Sequence, residues 1–381
     1  MIKRILYTLL IMFPVLASAQ INTDRVMAIG RNALYFEDYV LSIQYFNQVI
    51  NAKPYLSDPY FYRGLAKINL DDFQGAESDC SEAIERNPFV VSAYQVRGLA
   101  RIQQNNFAGA IEDYTKALEF DPENIGVWHN MALCRIRQED YKGAKNDLDK
   151  LIAISPRYTK AYLMRGEVDL KQKDTLAAEK DFGKAIEIDR YDADTWASRA
   201  ILRLQQQRYK DAEADFDHAI RLSTRNSGVY INRALARYHQ NNLRGAMSDY
   251  DIALDIDPNN FIGHYNRGLL RAQVGDDNRA IQDFNFVIEM EPDNMMAIFN
   301  RGLLLDQTGD YKGAIKDYST VINEYPNFLL GYQYRAQARR KIGDVKGADA
   351  DEFKVLKAQL DKQNGVDPNK QTADRSEEHT S

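Results

Sequence analysis

From Thr23 to Lys362 the hydrophobic and polar positions fall into pairs of short helical runs, and the pairing returns every 34 residues without insertion or deletion. Phe261–Asn294 shows the unit: FIGHYNRGLLRAQVGDDNRAIQDFNFVIEMEPDN. Shifted by 34 residues it lands on MMAIFNRGLLLDQTGDYKGAIKDYSTVINEYPNF, so that Gly268 falls on Gly302, Ala280 on Ala314 and Pro292 on Pro326. The first run places Tyr265, Leu269 and Ala272 at helical spacing. Gly275-Asp276, Gly309-Asp310 and Gly343-Asp344 then supply a left-handed residue that ends a helix. A second helix runs from there to a proline that cannot continue it. Ten such repeats begin at Thr23, Ser57, Val91, Ile125, Thr159, Ala193, Ser227, Phe261, Met295 and Leu329.

Three places of the repeat are nearly invariant within the chain. The eighth is always Gly or Ala, the twentieth is Ala in nine repeats and Ser42 in the first, and seven of the ten prolines stand in the thirty-second. Small residues at the first two places let the paired helices approach closely. A hairpin this thin cannot bury its apolar face alone, so neighbours must stack. The pattern of small, small, aromatic, small and proline resembles the tetratricopeptide repeat (TPR) family. The resemblance covers about nine-tenths of the chain and implies an all-α, right-handed α-solenoid of ten 34-residue helix–turn–helix repeats over residues 23–362. Departures are Arg190, Thr224 and Leu360 in the proline place, and Cys80, Leu148 and Glu352 in the aromatic place. The first two missing prolines predict softer joints between repeats five, six and seven.

A charge ladder goes beyond the family outline. The seventh place, usually apolar in the family, is Arg in eight repeats, and the twenty-third is Asp in nine. Arg233 with Asp249, Arg267 with Asp283 and Arg301 with Asp317 represent the series. A matched Asp for nearly every Arg implies internal neutralisation by partly buried ion pairs rather than an anion-binding surface.

The resemblance implies a concave face built from helix A of each repeat. In repeats seven to nine its places are unusually apolar, with Ile231, Leu235, Tyr238, Ile262, Tyr265, Leu269, Met296, Phe299 and Leu303. Asn232, Asn266 and Asn300 recur beside them in the sixth place, as does Asn130 in repeat four. Asparagine ladders in similar proteins clamp an extended peptide, because an amide both donates to a peptide C=O and accepts from its N–H. The apolar neighbours would form pockets for alternate side chains. The alternative is that the apolar residues pack on neighbouring helices and the asparagines are solvated. The family's pattern for capturing a terminal carboxylate is absent, since the relevant places hold Met27, Arg31, Phe61 and Leu65.

Residues 1–19 read as a signal peptide, with Lys3 and Arg4, an apolar stretch from Ile5 to Leu16, and Ala17-Ser18-Ala19 before Gln20. Cleavage would predict an exported protein, periplasmic or extracellular, with no membrane span left. The chain carries 49 Lys and Arg against 55 Asp and Glu, and loss of Lys3 and Arg4 makes it more acidic still. That balance argues against nucleic acid or an anionic membrane surface. Cys80 and Cys134 read as core residues too far apart for a disulfide. The five histidines show no metal-ligand spacing, and His264 sits where other repeats have Tyr. No phosphate loop, nucleophile elbow or zinc motif occurs, so no catalytic residue, metal or cofactor is expected.

Lys354, Lys357 and Asp361 predict a polar terminal cap, followed by a disordered tail over residues 363–381 whose last seven residues, RSEEHTS, resemble a translated sequencing adapter. The reading is a non-enzymatic protein–protein interaction scaffold whose partner is a peptide or a protein domain. The competing reading is the docking or regulatory half of a longer protein with a catalytic or effector domain elsewhere. Self-association through the open ends is a third possibility.

Overall fold

The computed structural model describes residues 22–223 and 225–364. The signal segment at 1–19, the missing proline at Thr224 and the tail from residue 365 lie outside the described residues. Within them are twenty helices and no strand, in the order A, B, A, B through ten repeats. In repeat eight, helix A is Phe261–Gln273 and helix B is Asp277–Met290. The chain divides into two compact units, residues 1–190 and 191–381, so that repeats one to five belong to the first and six to ten to the second. The division falls at Arg190, the first of the missing prolines.

Each hairpin closes through its small places. A Cβ on Gly166, in the eighth place, would come within 2.5 Å of the Phe182 ring in the twenty-fourth, and one on Gly98 within 2.8 Å of Tyr114. The ring of helix B therefore occupies the space that glycine vacates on helix A. Where that place is Ala132, the facing residue is the aliphatic Leu148, and the two share one core cluster with Ala144 and Leu151.

The turn between the helices differs from the glycine rule. All ten turns put the fifteenth residue at positive φ, but only Gly275, Gly309 and Gly343 are glycines; the other seven are Glu37, Asp71, Asn105, Glu139, Lys173, Gln207 and Asn241. Closure of the turn holds them there. In repeat four, for example, the Asp140 N–H bonds back to the Arg135 C=O at 2.9 Å, and the Asp140 carboxylate then accepts from the Gly143 N–H at 2.9 Å to cap helix B.

The prolines are not what stops helix B. In repeats five and six, which lack them, helix B still ends at Ile188 and Leu222. Only in repeat ten does it run on, through Gln363, where no further helix A follows among the described residues. This carries helix B into Gln363, the first residue of the expected tail. The expected polar cap is also incomplete, because Phe353, Leu356 and Leu360 stand exposed on that last helix.

Candidate functional site

The ladder pairs lie within each repeat. Arg233 meets Asp249 through two parallel bonds, Nε to Oδ2 at 2.9 Å and Nη2 to Oδ1 at 2.6 Å. Arg267 does the same to Asp283 and Arg301 to Asp317. The carboxylate is the buried partner: Asp249 is 1% exposed, whereas the Arg233 side chain is 12% exposed. The guanidinium also reaches back one repeat with its remaining nitrogen, which bonds Asp217 at 2.6 Å. Its counterparts reach Asn47, Ser81, Asp149, Asp251, Asn285 and Ser319, always in the twenty-fifth place. One arginine thus joins two helices of its own repeat to helix B of the repeat before. The geometry matches the bidentate fork that favours Arg over Lys.

Sequence reasoning missed a second row of cations in the eleventh place. Arg101, Arg203, Arg237, Arg271 and Arg339 each add a bond to the Asp already held by the seventh-place Arg; Arg237 meets Asp249 at 2.9 Å. The signal was present, since this place is basic in seven repeats. Arg101 and Arg237 also lock the joint, Arg101 to Glu77 at 2.8 Å and Arg237 to Glu213 at 2.7 Å. Between repeats four and five the same lock is reversed, with Lys145 on helix B bonding the buried Asp169 on helix A.

Repeat four lacks the seventh-place Arg and has Met131 there, so Asp147 keeps only Arg135. Burial pushes the Asp147 carboxyl up to about 6, despite the opposing pull of Arg135. The ladder is weakest at that rung.

The proposed binding face lies in repeats seven to nine, all within the second unit. The structure corrects one candidate: Ile231 is buried with Tyr230, Ala234, Tyr250 and Leu270, and belongs to the core. Tyr238, Tyr265, Phe299 and Leu303 are half-buried against core clusters and present only an edge. Leu235 is half-buried as well. Ile262, Leu269 and Met296 are open, Met296 being 68% exposed. Met296 and Phe299 form one wall of a cleft of about 480 Å³, closed by Val321, Tyr325 and Phe328.

The asparagines divide in the same way. Asn300 donates to the Tyr265 hydroxyl at 3.1 Å and so fixes that ring. Asn232 and Asn266 are half-buried and make no side-chain hydrogen bond among the described residues, whereas Asn130 in repeat four reaches the Tyr114 hydroxyl. Their amides are left with donors and acceptors to offer.

The two cysteines and His264 take structural positions. Burial raises the Cys80 thiol to about 12 and Cys134 to about 11, so neither is a thiolate at neutral pH. His264 is held between the Pro258 C=O and Asp283, each at 3.0 Å, and stacks on Phe286. Among the described residues no cluster could hold a metal, and no helix is long and apolar enough to cross a membrane.

Family models described as tetratricopeptide repeat or TPR repeat match residues 98–134, 125–158, 159–192, 198–261 and 265–327, together more than half of the chain. The chain belongs to the tetratricopeptide repeat family. A solved TPR protein from Parabacteroides merdae is similar at 21% identity and a TM-score of 0.51, over 65% of this chain and 98% of that one. The C-terminal part of a TPR repeat-containing protein from Cytophaga hutchinsonii is similar at 17% identity and a TM-score of 0.52, over 62% and 97%. Comparison with curated proteins finds no match. The TPR array is a protein-interaction scaffold.

Proposed function

We propose that this TPR protein is a non-enzymatic scaffold that holds an extended peptide segment of a partner protein against helices A of repeats seven to nine. The observation that carries this is the row of half-buried, unpaired amides at Asn232 and Asn266, beside the open apolar side chains of Leu269 and Met296. Two amides along a row can each exchange hydrogen bonds with a peptide group, while the cleft at Met296 and Phe328 accepts an apolar side chain. Exposed apolar surface rimmed by polar groups is the usual sign of a partner. We place the work outside the cytoplasm, on the strength of the charged, apolar and small-residue order of residues 1–19.

The test is selection of binders from an unbiased displayed peptide library, followed by fluorescence anisotropy on the enriched peptides. Asn232→Ala with Asn266→Ala should weaken binding by about tenfold or more, roughly one hydrogen bond's worth per site. The circular dichroism melt should stay unchanged. Peptides that bind the double variant as tightly as the parent would remove this face from consideration.

A further inference from the structure

Repeats one and ten break the polar joint in a matched way. At seven joints inside the two units, the seventh-place Arg reaches the polar twenty-fifth place of the preceding repeat. In repeat one the seventh place is Ile29, and in repeat ten the twenty-fifth is Phe353. Both are exposed, Phe353 at 67%. A second register is apolar at both ends, although it is not polar at every internal joint, since the fourteenth place is also Leu70, Val274 and Ile342. Gln104 and Gln240, in the fourteenth place, bond back to the seventeenth-place carbonyls of Phe73 and Tyr209 and to Glu77 and Glu213. The fourteenth place of repeat one is Phe36, 77% exposed, and the seventeenth of repeat ten is the exposed Val345. In a third register, Ile84 and Ile220 in the twenty-eighth place pack into clusters with Tyr94 and Tyr230, the fourth-place rings of the next repeat. The terminal counterparts are the exposed Leu356 in repeat ten and the half-buried Val26 in repeat one.

We infer that these two faces meet: repeat one of a second copy stacks on repeat ten of the first, head to tail. Superposing the internal joint on the two ends sets Ile29 against Phe353, Phe36 against Val345 and Val26 against Leu356. The Arg contact between the seventh and twenty-fifth places has an apolar replacement on both sides of this one, where an apolar side chain on only one side would gain nothing; the twenty-first place, which holds Glu77 and Glu213 at internal joints, keeps Asp349 in repeat ten. Terminal repeats of a solenoid ordinarily carry a polar outer face for solubility, which is interrupted here by Ile29 and Phe36 in repeat one and by Phe353 and Leu356 in repeat ten. The contact is heterologous, so copies add in an open series unless the rotation closes a ring. The inference stands apart from the peptide-binding face, which uses other repeats.

The full chain should show a sedimentation-derived mass that rises with concentration from micromolar to about millimolar. Phe353→Asp should hold it at the monomer mass over that range with an unchanged circular dichroism melt. Ile29→Arg should do the same. The double variant recreates the Arg–Asp contact of the internal joints and should associate again, now sensitive to salt. A monomer mass for the parent throughout the range, as when residues outside 22–364 cover either face, overturns the inference. So does association that Phe353→Asp leaves intact, or a double variant no better than the singles.

Discussion

Asp147→Asn and Asp249→Asn should move stability in opposite directions at neutral pH, although the two residues occupy the same place in repeats four and seven. Asp249 is held by both Arg233 and Arg237, and neutralising it leaves two buried-edge cations short of an acceptor, at a cost of roughly 1–3 kcal/mol. Asp147 has only Arg135, and its carboxyl titrates near 6, above the ordinary 3.8. The folded state therefore binds the proton more tightly than the unfolded chain. The stability this contributes is whole below about pH 4 and is lost as pH rises through 6. A shift of about two units corresponds to ~3 kcal/mol. Asp147→Asn should raise the urea midpoint at pH 7, and the gain should vanish at pH 4. No gain at pH 7 would show that Arg135 alone is a sufficient partner. The ladder itself was legible because Arg and Asp recur at fixed places. The second cation row was not read, since an Arg one helical turn past another looks like a solvated face until helix B is brought beside it.

At the scale of the hairpin, the small places declared themselves through composition, because only Gly or Ala tolerates Phe182 or Tyr114 across the gap. The turns did not. Glu139 and Lys173 sit at φ of 61° and 64°, yet nothing in their residue type announces a left-handed position; closure of the hairpin imposes it. The strain is testable. Glu139→Gly and Lys173→Gly should each stabilise by roughly 0.5–1 kcal/mol, the relief of the left-handed penalty less the added chain entropy. Gly343→Ala, at φ 81°, should destabilise by a similar amount. Urea midpoints for the three variants decide it, and a loss at Glu139→Gly would mean that its side chain contributes more than its backbone costs. Ile231 illustrates the converse limit: apolarity reveals that a helix face is covered, but not whether a neighbour or a ligand covers it.

For the molecule as a whole, the 34-residue period determined the order of helices, and each repeat needs only its neighbours. A fragment of residues 22–190, which matches the first compact unit, should fold by itself and melt cooperatively by circular dichroism. A coil spectrum for that fragment would mean that five repeats are too few. The reversed lock between Lys145 and Asp169 bears on how such an array can be rebuilt. Arg101 and Arg237 accept only an acidic residue on the preceding helix B, while Asp169 accepts only a basic one. Moving repeat five behind repeat two would bring the buried Asp169 against the partly exposed Glu77, two carboxylates side by side. The repeats look interchangeable, yet their charges spell out a sequence in which they must be assembled, and shuffled or duplicated versions of the gene would be filtered at that joint.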